Sequence, residues 1–184
     1  MSDIRTCLEA NPVIAAIGDD KWGDALHSPV RVVFYMSANL LTLREKVQQA
    51  HSAGKFVMVH LDLAEGIGRD RVGIRFIDQC GADGIISTKS QLIRWANEMG
   101  MFTVQRFFAI DSGGTESICE MIRSTNPNLM EIMPGVVTKV IRKFADSGIP
   151  VIAGGLIESK AEIMDALSSG ATAVSTGKQD LWYI

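Results

Sequence analysis

Cysteine is scarce and unpaired in this sequence: Cys7, Cys80 and Cys119 form an odd set with no C-x-x-C spacing. That excludes a disulfide framework or a zinc knuckle and points to reduced, mostly buried thiols. His27, His51 and His60 are equally scattered and read as ordinary histidines rather than metal ligands; no metal is expected, and no cofactor. No apolar run approaches the roughly 20 residues of a membrane-spanning helix. The opening MSDIRTCLEAN lacks the charged-then-apolar order of a secretory signal, which places the chain in the cytoplasm, away from membranes. Excess positive charge is missing too. A formal net charge of −3 and a pI near 5.6 exclude nucleic-acid binding by bulk electrostatics, so any such contact needs a local basic face. There is also no G-x-G-x-x-G turn, since AIGDDKWG does not fit one, and this argues against an open dinucleotide-binding sheet.

What the sequence does contain is alternation. With 184 residues, 47% of them hydrophobic, the chain can bury a core as one domain over residues 1–184, and no linker or low-complexity tract divides it. Eight apolar runs of strand length recur: PVIAAI, VRVVFYM, KFVMVHLD, DGIIST, FTVQRFF, LMEIM, PVIAGG and ATAVST. Amphipathic helical stretches lie between most of them, several stopped by glycine; the first, GDDKWGDALHS, is weak. Strands buried on both faces and alternating with helices predict an α/β fold with a parallel sheet, and eight strands predict a compact (β/α)8 TIM-like barrel.

A barrel builds its site at the carboxyl ends of the strands, so polar residues there are candidates. They are His60, Asp62 and Glu65 in HLDLAEG, Ser87, Thr88 and Lys89 in ISTKS, Gln105 and Arg106 in VQRFF, and Glu131 in EIMPG. Side chains alternate along a strand, so His60 and Asp62 share a face, while Gln105 opposes Arg106. Asp62 and Glu131 read equally well as ligand acceptors or as ion-paired carboxylates, with Lys89 or Arg106 as partner. His60 reads as a buried supporting histidine rather than a base. Gly154 and Gly155 end the seventh run, and Ser175, Thr176 and Gly177 the eighth. Barrels commonly bind phosphate there, using bare backbone N–H groups, a helix N-terminus and nearby hydroxyls. No triad or paired nucleophile and base is visible, so no catalytic residue is assigned. Lys89 is the candidate Schiff-base lysine if the chain is instead an aldolase- or isomerase-class enzyme acting on a small phosphorylated metabolite.

The ordered motifs VHLDLAEGI, ADGIISTKS, TVQRFFAIDS, EIMPGVV, PVIAGGLI and ATAVST…LW resemble the GlpP family, the glycerol uptake operon antiterminator regulatory proteins, from about Pro12 to Trp182. The resemblance implies a barrel that binds glycerol 3-phosphate as effector and acts on a leader mRNA to prevent transcription termination, without turnover. By position it implies ligand contacts from His60, Asp62, Glu65, Ser87, Lys89, Gln105, Arg106, Glu131 and Gly135, and phosphate contacts from Gly154, Gly155, Ser175, Thr176 and Gly177. Gly177 replaces a polar family residue, and Tyr35 to Leu40 match poorly. For RNA, the local basic stretch GRDRVGIR offers Arg69, Arg71 and Arg75, which also read as a solvated surface. A module signalling through a protein partner is a third reading, and a homo-oligomer is compatible with all three.

Overall fold

The computed structural model describes residues 3–109 and 112–184. Its eight parallel strands close in chain order: β1 Val13–Ile17, β2 Val32–Tyr35, β3 Phe56–His60, β4 Gly84–Ser87, β5 Phe102–Phe108, β6 Leu129–Met133, β7 Val151–Gly154 and β8 Ala173–Thr176. Closure is direct, with Val13 opposite Val174 and Ala15 opposite Thr176. Each apolar run expected as a strand is one. Helix α1 (Ile4–Ala10) precedes the barrel, and α2 (Trp22–His27), α3 (Leu43–Ser52), α4 (Arg71–Gln79), α5 (Ser90–Glu98), α6 (Ser112–Thr125), α7 (Thr138–Ala145) and α8 (Lys160–Ser168) alternate with the strands. The weak first helix is a short 3-10 turn, Asp19–Lys21, leading into α2. A 3-10 segment, Gln179–Tyr183, follows β8; it buries Trp182, whose indole N–H donates to the Thr176 carbonyl at 3.0 Å. Among the described residues no helix is long and apolar enough to cross a membrane.

Alternation along the strands makes two cores. Outward-facing Val33, Val57, Ile85, Ile132 and Val174 pack with helix residues such as Val47, Ile74, Ile141 and Ile163. Inward-facing Ile14, Val32, Phe34, Met58, Ile86, Val104, Leu129, Ile152 and Ala173 fill the barrel. Ile4 and Leu8 of α1 join this inner core, closing the amino-terminal end of the barrel, and Arg5 ties α1 to the Asn128 carbonyl just before β6 at 3.1 Å. The carboxyl end is where the interior turns polar.

Candidate functional site at the carboxyl end of the barrel

One layer above the apolar filling, the inward positions are His60 on β3, Arg106 on β5, Glu131 on β6 and Ser175 on β8, all buried. Register sets Arg106 directly opposite Glu131, and the guanidinium Nε donates to Glu131 Oε2 at 2.5 Å. The other carboxylate oxygen, Oε1, accepts the Ser175 hydroxyl at 2.6 Å. Glu131 is therefore ion-paired with Arg106, one of its two sequence readings, and it also lines the cavity above. Gly154 explains how the carboxylate fits: a β-carbon there would collide with Glu131 Oε1 and Ser175 Oγ. A buried pair that satisfies both carboxylate oxygens holds its shape because breaking it would strand a charge out of water.

Above this layer lies a cavity of about 550 Å³, lined by Arg106, Glu131, Gly155, Ser175, Thr176 and Gly177 from the predicted set. Its remaining walls come from residues that the sequence reading missed: Lys21, Lys178 and Glu158 among the polar ones, and Met36, Met133 and Leu156 among the apolar ones. Lys21 Nζ donates to the Gly177 carbonyl at 2.6 Å, and Lys178 Nζ to the Glu158 carbonyl at 2.9 Å, so two ammonium groups stand at the rim on backbone partners. Lys21 lay inside GDDKWG, read only as a weak helix; Lys178 directly follows Ser-Thr-Gly and was the more legible of the two.

The expected phosphate donors are differently employed. Ser175 donates its hydroxyl hydrogen bond to Glu131, while the Thr176 hydroxyl donates to the Ile157 carbonyl at 3.0 Å and accepts from Lys178 N at 3.1 Å. The N-terminus of α8 is closed by a capping box in which Glu162 accepts from the Glu158 and Ser159 amides at 2.7 and 2.9 Å. An anion here would therefore meet lysine ammoniums rather than that helix end.

The remaining expected contacts lie elsewhere. Gln105 is turned away from the barrel interior, because Arg106 takes the inward position; its amide donates to Ser90 Oγ at 3.0 Å and accepts from the Thr125 hydroxyl at 2.6 Å behind the sheet. Gly135 places its amide on the Gly154 carbonyl at 2.5 Å, and a β-carbon would strike Ala153 and Gly154, so it lets the loop after β6 pack on the end of β7. Asp62 accepts from Ser87 Oγ at 2.6 Å and from Thr88 N and Oγ1 at 2.8 and 2.7 Å. Burial alone would raise its carboxyl, but the Ser87 and Thr88 hydrogen bonds outweigh it and hold the group below the ordinary carboxylate value. This clasp joins the loops after β3 and β4. Glu65 accepts from Asn39 Nδ2 at 3.1 Å, and exposed Lys89 opens α5; neither borders the main cavity. His60 is 3% exposed, and its Nδ1 has no hydrogen-bond partner. Burial, and then the Arg106 charge, push its imidazole below the ordinary value.

Of the basic stretch, Arg69, Arg71 and Arg75 are all exposed, and Arg71 is ion-paired with Glu98 and stacked over Trp95, 5.3 Å from the ring centroid. Ile110 and Asp111 of the TVQRFFAIDS motif lie outside the described residues. Among the described residues no cluster of three or more His, Cys, Asp or Glu side chains is placed to hold a metal.

Residues 13–182 match the family described as glycerol-3-phosphate responsive antiterminator. The chain is 34% identical to the Escherichia coli K12 protein YgcP, an alignment covering 95% of this chain and 93% of that one. Two solved structures superimpose closely. A glycerol uptake operon antiterminator regulatory protein from Listeria monocytogenes has a TM-score of 0.88 and 32% identity, covering 94% of this chain and 95% of its own. A glycerol uptake operon antiterminator-related protein from Thermotoga maritima has a TM-score of 0.84 and 35% identity, covering 92% and 96%.

Proposed function

From the premise that the chain belongs to the glycerol-3-phosphate responsive antiterminator family, we propose that it binds glycerol 3-phosphate in the cavity at the carboxyl end of its barrel. In that state it acts on a leader mRNA in the cytoplasm to prevent transcription termination. The observation that carries the ligand reading is the pairing of two rim ammoniums, Lys21 and Lys178, with a buried Arg106–Glu131 pair at the cavity floor. A phosphate dianion between the lysines would exchange two neutral carbonyl acceptors for an ionised one, adding opposite-charge attraction to the hydrogen bonds. The glycerol hydroxyls would then face the Arg106 guanidinium and the Glu131 carboxylate. Glu131 is engaged through both oxygens and so is not poised as a general base, which favours a sensor over a catalyst. Lys89, the Schiff-base candidate of the enzyme alternative, does not line the cavity, which supports the sensor reading.

Thermal unfolding with and without ligand tests the reading. At glycerol 3-phosphate near 100 times Kd, linkage stabilises the fold by about 2.7 kcal/mol, a shift of roughly 5 to 10 °C for a chain of this size. Glycerol should give far less, and Lys21→Ala and Lys178→Ala should each weaken binding by about tenfold or more. Equal shifts with glycerol, or none with glycerol 3-phosphate, overturn the proposal. Mass analysis after incubation should recover the ligand unchanged.

A further inference from the structure

The loop between β7 and α8 contains a residue whose placement the fold does not explain. Gly155 and Leu156 both have left-handed backbones, with φ of +76° and +60°. Together they swing the chain off the end of β7 so that Ile157 returns to the core at 4% exposure, with its carbonyl receiving the Thr176 hydroxyl. A left-handed conformation suits glycine and costs an L-residue energy through its β-carbon. Gly155 meets that requirement; Leu156 does not. Nor does Leu156 repay the cost by packing, because it remains 67% exposed. What it does is line the cavity, as do the apolar side chains of Met36 and Met133, together with Lys21, Lys178 and the Arg106–Glu131 pair; the Met36 sulfur lies 3.9 Å from the Arg106 guanidinium.

We infer that Leu156 is a specificity residue: its side chain closes over the carbon skeleton of the bound ligand, so that the site prefers a phosphorylated compound with an apolar edge over bare phosphate. The inference rests on the ligand reading above. A three-carbon phosphate has both parts that the cavity lining offers to meet, charge for the lysines and C–H surface for Leu156, Met36 and Met133. Covering that surface removes it from water and shields the polar contacts beneath.

The experiment compares the parent with Leu156→Gly and Leu156→Met by calorimetric titration of glycerol 3-phosphate and of inorganic phosphate, together with ligand-free melting. Leu156→Gly should melt at or above the parent temperature, since the left-handed backbone is relieved, yet bind glycerol 3-phosphate about tenfold or more weakly. Inorganic phosphate, with no carbon to cover, should bind parent and variant alike, and Leu156→Met should keep glycerol 3-phosphate affinity within about threefold of the parent. Unchanged glycerol 3-phosphate affinity in Leu156→Gly overturns the inference, as does an equal loss for both ligands. A ligand-free melting temperature several degrees below the parent's would make Leu156 a packing residue and overturns it too. If the parent binds neither compound, the ligand reading itself fails, an outcome distinct from these three.

Discussion

His60 shows how one buried ring couples this site to pH. Burial and the neighbouring Arg106 lower its proton affinity in the fold, while Asp62 and Glu131 oppose them. The unfolded chain therefore takes up a proton near the ordinary value of 6.5 that the folded chain resists. The neutral ring's contribution to stability is fully present above that pH, and it is lost as pH falls from there through the lower folded value. Its slope is at most about 1.4 kcal/mol per pH unit. Urea unfolding from pH 7.5 down to 5.5 should thus show a smaller loss of stability in His60→Asn than in the parent; parallel losses would contradict this account. The residue scale is also where the sequence was least legible. Alternation showed that Gln105 and Arg106 oppose each other but not which one faces inward, and only barrel closure decides that. Likewise Gly135 and Gly154 read as ligand glycines, and a β-carbon at either would meet protein: the end of β7 in one case, the Glu131 carboxylate in the other.

Among the elements, strands were legible and ends were not. Parallel strands buried on both faces leave continuous apolar runs, so all eight could be read directly. Helix α1 escaped because its apolar residues, Ile4, Cys7 and Leu8, make barely two turns, and its stability comes from the barrel floor rather than from its own periodicity. Leu8 is 1% exposed against that floor. Leu8→Ala should therefore cost about 2 to 4 kcal/mol, read as a lowered urea midpoint, whereas Leu41→Ala, at a position 89% exposed, should stay within about 0.5 kcal/mol of the parent. If the two variants unfold alike, α1 is not the floor described above. The start of α8 misled in another way. Its Ser159 and Glu162 form a capping pattern visible in the sequence, yet the glycines before it suggested an open helix end; the capping carboxylate already holds the Glu158 and Ser159 amides, while Gly155 borders the cavity.

At the scale of the whole molecule, the formal charge of −3 sets the conditions for any direct RNA contact. General attraction to a phosphate backbone is unavailable, so contact must rest on a few exposed cations. Arg69 and Arg75 are free of the ion pair and ring that hold Arg71. An Arg69→Ala/Arg75→Ala double variant should keep its melting response to glycerol 3-phosphate, while the salt dependence of leader binding becomes shallower by roughly 1.5 to 2 logarithmic units. An unchanged slope would move the contact to another face. The ring closure has a consequence for the order in which the molecule is made. The β1–β8 pairing joins the first strand to the last, and the Lys21–Gly177 hydrogen bond across it spans 156 positions of chain. On a ribosome β1 must wait, one edge unmatched, until β8 has emerged. The proposed ligand cavity straddles that same join, drawing Ala16 and Lys21 from one side and Ser175 to Lys178 from the other. An occupant would act as a rivet through the last seam to be sewn, and a nascent chain finishing in effector-rich surroundings would be fastened at the moment its barrel becomes whole.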